Sequence, residues 1–204
     1  MKIWYMEIKK IDKEDLPKVV EVHKDSFKGF FLTELGDHFL TVYYDCVRKD
    51  DRGLLIGLYE ESQLCGFFAA TILFKGFNKH LIKRNFFRFS LIGLRLLFTQ
   101  MPSLVRLFKN FTKTSQDMED NGEYAELLSI GVSVNKQGQG IGKKLLMQFE
   151  NEMRLKGCSS LSLTTDYYDN EKAIQFYKGM GYTVYYDFTT YPNRKMYRMI
   201  KNLD

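Results

Sequence analysis

Ile3 to Ile8, apolar apart from Glu7 and rich in aromatic and branched residues, reads as a first strand. Asp12 then precedes Glu14-Asp15-Leu16-Pro17, a helix-start pattern with Asp12 as the expected N-cap. Val19, Val20, Val22, His23 and Phe27 continue it at helical spacing. Phe39, Leu40, Tyr43, Tyr44 and Val47 make a second apolar stripe, predicting a helix over Gly36 to Arg48. Leu54 to Tyr59 and Leu64 to Leu73 read as strands joined by a turn at Glu60-Glu61-Ser62-Gln63. Residues 74 to 114 interleave phenylalanines with cations at helical spacing, and Pro102 predicts a break between two helices there. After an acidic loop, Asp117 to Glu123, the pattern returns to a strand at Glu126 to Val134. A helix follows with Ile141, Leu145, Leu146, Phe149 and Met153 on one face and Gly157 as its C-cap. Leu161 to Thr164 is a strand, Asn170 is the expected cap of a short helix ending near Gly181, and Tyr182 to Phe188 and Met196 to Ile200 pair around Tyr191-Pro192-Asn193. The order is β-α-α-β-β, insertion, β-α-β-α-β-β, which is a mixed α/β pattern.

Composition narrows this picture. The 204 residues are 45% apolar and 27% charged, which excludes a disordered chain and fits one domain over 1–204. Three cysteines, Cys46, Cys65 and Cys158, are odd in number and far apart; this argues against a disulfide scaffold or a cysteine zinc site and for a reducing compartment. Met1 to Lys10 lacks an apolar run, and Phe86 to Phe98 is shorter than a span of ~20 residues, so the expected location is the cytoplasm. The net charge of +5 is uneven. Lys75 to Lys113 holds nine cations and no carboxylate, leaving 21 cations against 25 anions elsewhere, a net of −4.

The strand at Glu126 to Val134 runs into Gly138-Gln139-Gly140-Ile141-Gly142 and then a helix. Such a junction suits an anion, because the first helical N–H groups and the helix dipole point at it. A dinucleotide fingerprint fails, since its last glycine position is Lys143; a phosphate-binding P-loop fails at Gln137 and Lys144. Gln137-Gly138-Gln139-Gly140-Ile141-Gly142 instead matches Q/R-x-x-G-x-G/A, the CoA-pyrophosphate motif of the GNAT superfamily of acyltransferases. Asn170-x-x-Ala173-x-x-Phe176-Tyr177-x-x-x-Gly181-Tyr182 resembles that family's C-terminal motif. The distance between the two blocks leaves room for one helix and one strand, and the resemblance covers residues 123 to 188. It implies a GNAT-like fold: a mixed, mostly antiparallel sheet flanked by helices, with residues 74–120 as a helical insertion before the central strand.

The resemblance also implies roles. Backbone N–H groups of Gln137, Gly138, Gln139, Gly140, Ile141, Gly142 and Lys143 would hold the pyrophosphate of acetyl-CoA. The edge of the strand at Ile130, Gly131 and Val132 would pair with the pantetheine arm, with Asn170 opposite, and a strand N–H would face the thioester oxygen. Tyr177 stands at the family's tyrosine position as proton donor to the leaving thiolate, and Glu126, eleven residues before Gln137, resembles the glutamate base of histone acetyltransferases. A lysine-like amine is mostly protonated at neutral pH, which without a base costs roughly 4.6 kcal/mol. Asp166 and Glu123 are the fallback bases. Thr165 occupies the position at which enzymes acetylating a ribosomal N-terminal alanine carry a glutamate. With no cysteine in either motif, direct transfer in a ternary complex is the expected course. His23, His38 and His80 read as ordinary helix residues, with His23 or Tyr44 as possible lining of the acceptor pocket.

The expected function is therefore acetyl transfer from acetyl-CoA to a primary amine of a small molecule such as an amino sugar or polyamine. A protein or peptide amine is the alternative acceptor, and a non-catalytic acyl-CoA-binding regulator is the alternative class. No metal site and no nucleic-acid partner are expected, and a homodimer is left open. For the basic insertion three readings stand: a helical excursion packed on the core, a wall of the acceptor site for an anionic substrate, or an amphipathic element docking on anionic lipid. Its place before the central strand favours a substrate or lid role.

Overall fold

A computed structural model of the chain describes residues 6–99 and 120–203. Seven strands form one sheet in the order β1-β2-β3-β4-β5-β7-β6, where β1 is Met6–Lys10, β2 Gly53–Glu60, β3 Gln63–Thr71, β4 Ala125–Val132, β5 Ser160–Asp166, β6 Thr183–Thr190 and β7 Arg194–Asn202. All neighbours are antiparallel except β4 and β5. The helices are α1 (Leu16–Ser26), α2 (Phe31–Glu34), α3 (Gly36–Lys49), α4 (Phe77–Arg84), α5 (Phe86–Thr99), α6 (Ile141–Leu155) and α7 (Glu171–Gly179).

The sheet is covered on both faces. One face packs Leu55, Phe67 and Ala69 under Val19 and Val22 of α1 and Leu40 and Val47 of α3. The other packs Leu54, Ile56, Phe68 and Ala70 under Ile141, Leu145, Phe149 and Met153 of α6. That is why β2 and β3 read as nearly continuous apolar runs rather than clean alternations. The predicted hairpin forms at the expected place: Glu60 pairs with Gln63, and Glu61 and Ser62 both take positive φ (48° and 67°), the geometry of a two-residue turn that matches strand twist.

Several local expectations change. Asp12 precedes a 3₁₀ turn, Lys13–Asp15, and makes no side-chain cap; α1 starts only at Leu16, with Asp15 at its N-cap and Pro17 in its first turn, where a missing N–H costs nothing. Asn170 stands at the N-cap position of α7 but makes no side-chain cap; its Nδ2 donates to Thr165 Oγ1 and the Asp166 carbonyl of β5. A short helix, α2, precedes α3 and was not legible as a separate element. The insertion is helical where described, as α4 and α5; the expected break at Pro102 lies outside the described residues. Among the described residues no helix is long and apolar enough to cross a membrane.

Candidate active site

The site begins with a separation of strands. β4 and β5 pair at only three positions, Ala125–Leu161, Glu126–Ser162 and Leu127–Leu163. Both strands continue, β4 to Val132 and β5 to Asp166, without pairing further. The edge of β4 that faces β5 therefore has unmatched backbone groups from Leu128 onward, and a strand-like ligand can satisfy them. On its other side β4 pairs with β3 through a bulge: Ala69 faces Ser129 and Ala70 faces Leu127, so Leu128 faces no partner. A bulge re-aims the backbone at a defined point. Ile130, Gly131 and Val132 lie just beyond it. Gly131 has its own requirement, since a Cβ there would stand 3.0 Å from Ser26 Oγ at the end of α1.

The glycine loop follows at once. Gly138 and Gly140 both have φ of +75°, the left-handed region that excludes ordinary side chains, and Gly140 is the N-cap of α6. A Cβ on either would meet nothing within 4 Å, so backbone conformation, not crowding, selects glycine there. Gly142 differs: its φ is unexceptional, and an added Cβ would only touch Val132 Cγ2 at 3.9 Å. The fold does not require glycine at 142, whereas a ligand lying against the first turn of α6 would. The side chain of Gln137 reaches back to the Val132 carbonyl (3.3 Å), where Ser26 Oγ also donates (3.3 Å), and Gln139 Nε2 donates to the Asn135 carbonyl (3.3 Å). Both glutamines thus shape the loop. Ile141, the first residue of α6, is buried, and Lys143 is exposed in the same turn. The chemistry of this set, open N–H groups at a helix N-terminus beside an open strand edge, fits a pyrophosphate joined to an amide-bearing arm.

Asn170 Nδ2 donates to Thr165 Oγ1 (2.6 Å) and to the Asp166 carbonyl (3.3 Å), which fastens α7 to the free end of β5. Tyr177 of α7 joins the apolar cluster of the α6 face with Ile130 and Val132, its ring tilted against Phe176 and edge-on to Tyr182. Burial pushes its phenol up to about 12, so it carries its proton throughout neutral pH.

Glu126 lies on the opposite face. It is 5% exposed, and its Oε2 accepts from Arg198 Nη1 at 2.6 Å. Arg198, also 5% exposed, donates further to Ser162 Oγ (2.7 Å) and Tyr186 Oη (3.0 Å) and stands 3.5 Å from Asp120. The guanidinium lies over the rings of Phe74 (4.7 Å) and Tyr124 (5.2 Å). The two carboxylates of this network respond differently. Burial pushes Glu126 up, and Arg198 pulls it back without cancelling the rise. Burial also pushes Asp120 up, but hydrogen bonds from Tyr124 Oη (2.6 Å), Tyr186 Oη and the Gly122 N–H, with the charge of Arg198, hold it below the ordinary range. Of the fallback bases, Asp166 is clamped by Arg194 (2.5 and 2.8 Å), and Glu123 is exposed and paired with Lys75 (3.0 Å).

Sequence reading missed Arg198, Asp120, Tyr124 and Tyr186. The available signal was a lone arginine inside the apolar strand Met196 to Ile200, because a buried cation implies a buried partner. It also missed Arg194, whose guanidinium lies 4.0 Å over the Phe30 ring and links the α1–α2 connection to the start of β7. His23 is buried rather than lining an open pocket: its Nδ1 lies 2.6 Å from Tyr44 Oη, which donates to Ser129 Oγ at 3.2 Å.

The comparisons agree with this geometry. The sequence model of the Acetyltransferase (GNAT) family matches residues 16–182. Among solved structures, an N-acetyltransferase from Staphylococcus aureus Mu50 superposes with a TM-score of 0.65 at 14% identity, covering 98% of this chain and 99% of that one. The ribosomal-protein-S18-alanine N-acetyltransferase of Escherichia coli gives 0.63 at 14% identity over 98% and 95%. The PaiA N-acetyltransferase of Thermoplasma acidophilum, solved with coenzyme A, gives 0.54 at 18% identity over 98% and 99%. At these identities the structural likeness speaks for the fold alone. No curated protein matches the chain in sequence. The family model covers most of the chain, through the glycine loop and the Asn170–Tyr177 block: the chain belongs to the acetyltransferase (GNAT) family and is an acyl-CoA-dependent N-acetyltransferase.

Proposed function

We propose that the chain transfers acetyl from acetyl-CoA directly to the primary amine of a small acceptor such as an amino sugar or polyamine. The observation that carries this is the divergence of β4 from β5 beside the glycine loop, with Tyr177 on one face of the opening and Glu126 on the other. A thioester laid along β4 would be reached from both sides of the sheet, which suits a ternary complex with no covalent enzyme intermediate. In this reading Gln137 to Lys143 and the edge Ile130 to Val132 bind the donor, Asn170 orients α7 against it, and Tyr177 donates a hydrogen bond to the sulfur. Acetyl-CoA supplies the activated acyl group; the rest of the chemistry is positioning and proton handling.

Glu126 is the proposed base. Its burial makes it a stronger base than an exposed carboxylate, and the hydrogen bond described to it falls on Oε2. We expect Glu126→Gln to lower turnover of a high-pKa amine about tenfold or more at neutral pH, and to remove the acidic limb of its pH–rate profile. A low-pKa sugar amine should be affected much less. Equal losses on both acceptors, or an unmoved profile, would take Glu126 out of the proton path. Tyr177→Phe is expected to lower kcat by about one to two orders of magnitude while leaving CoA affinity in place. Unchanged turnover in that variant would assign the proton donor elsewhere.

The test of the function as a whole is thiol release from acetyl-CoA against a panel of amino-sugar nucleotides, polyamines and peptides. Turnover confined to peptides would establish the protein-acetylating alternative. CoA binding with no turnover on any acceptor would establish the regulator.

A further inference from the structure

The insertion presents an apolar stripe to solvent. Phe87, Leu91 and Leu94 stand at i, i+4 and i+7 of α5, on one face of the helix. Phe87 is 83% exposed and Leu91 70%. Phe86, at 59%, extends the patch to the start of the helix. The core does not need this face, since α5 already packs through Phe89 and Ile92 against the α3 side. Single exposed apolar residues are ordinary; a contiguous stripe on one helix marks a contact surface.

The charge of the segment that carries the stripe says what covers it. The segment Lys75 to Lys113 contains nine cations and no carboxylate. Where it meets the end of α3, Asp45 is shared by Arg48, Lys49 and Arg88, and Asp50 and Asp51 pair with Arg84, so these carboxylates are already engaged by cations. Lys79 and Lys83 of α4 are exposed and have no ion pair among the described residues. A second copy docking by the same stripe would bring two carboxylate-free, cationic segments together across a two-fold axis, where like charges repel. An exposed apolar stripe on α5, in a segment without carboxylates and with exposed lysines on the preceding helix, instead matches a surface that is apolar inside and anionic outside.

We propose that α5 docks this acetyltransferase on an anionic phospholipid bilayer. Phe87 and Leu91 enter the headgroup–acyl boundary, and Lys79 and Lys83 contact lipid phosphates. The helix lies in the plane of the interface and does not cross it. The proposal is independent of the acceptor and of the assigned acid and base. It selects the lipid reading of the insertion, which sequence placement alone had ranked below a substrate or lid role.

The experiment is co-sedimentation of the full chain with vesicles of phosphatidylcholine alone and of phosphatidylcholine with about 30 mol % phosphatidylglycerol, at low and high salt. Partitioning should favour the anionic vesicles by about tenfold or more and fall as salt rises. Phe87→Ser with Leu91→Ser should lower partitioning about tenfold, and Lys79→Glu with Lys83→Glu should abolish the preference for anionic lipid. These positions are exposed, so both variants should keep the parent's unfolding midpoint and CoA affinity, which shows that they fold. Equal partitioning to both vesicles, or partitioning untouched by the Phe87/Leu91 change, would overturn the proposal. So would a concentration-dependent dimer that ignores vesicles and disappears in the same variant, since that would make the stripe a self-contact.

Discussion

Arg198→Ala is expected to destabilise the fold by about 3–5 kcal/mol, the usual result of removing one partner from a buried ion pair. Arg198 holds together groups from four parts of the chain: Asp120 ahead of β4, Glu126 on β4, Ser162 on β5 and Tyr186 on β6. Without it two carboxylates remain in a space lined by Phe74 and Tyr124, with no cation to replace their water. The urea midpoint should drop with little change in slope. A loss under about 1 kcal/mol would show that the network is solvated and energetically ordinary. The variant should also respond differently to mild acid. In the parent, Arg198 opposes the rise that burial imposes on Glu126. With that pull gone, the folded-state pKa climbs further above the unfolded one. Folding then takes up a proton, so stability falls as pH rises through the folded value and is regained as pH is lowered. Adding Glu126→Gln should restore part of the loss at neutral pH, because it removes the stranded charge.

The second large effect is acid destabilisation through His23. Burial alone pulls this imidazole down to about 4, while the unfolded chain protonates near 6.5. The imidazole is buried neutral. With Tyr44 Oη donating to Ser129, Nδ1–H is the donor to Tyr44, and Nε2 is left as a bare acceptor without a partner. Because the folded pKa is depressed, the unfolded chain binds the extra proton between those two values. The contribution is fully present above about pH 6.5 and is lost as pH falls toward about 4, roughly 3 kcal/mol in all. The carboxylates held low act in a different window. Burial pushes Asp45 up, but Lys49, Arg48 and Arg88 outweigh it and bring it to about 2; this group weakens the fold only below the ordinary carboxylate range. Urea midpoints measured from pH 7 to pH 4 separate the two. The parent should lose stability steadily from about pH 6.5 down to about pH 4, whereas His23→Gln, neutral throughout and still able to bond Tyr44, should run nearly flat. Parallel profiles would exclude His23 as the cause.

Neither of these two effects could be read from local sequence. The glycine loop was legible residue by residue. Positive φ at Gly138 and Gly140 and a helix beginning at Ile141 are local consequences of local sequence. The α6 stripe, the β2–β3 turn at Glu61-Ser62 and the strand before the loop were legible for the same reason. His23 was not. Its helical spacing was clear, but its burial depends on Tyr44 and Ser129, which arrive from α3 and β4. Asn170 shows the limit of local rules: it stands at a helix start, yet its amide goes to Thr165 because β5 ends there.

By itself, then, the sequence determined the order of the strands and main helices, the glycine-rich turn and the family, because each rests on contacts within one helix, one hairpin or one loop. The tertiary structure decided where the charges go. It placed Arg198 against Glu126 and Asp120, sank His23 in the core, and turned one stripe of α5 outward while the other packed on α3. A buried ion pair joins residues far apart in the chain, and periodicity gives a helix two faces without saying which one the rest of the molecule will cover.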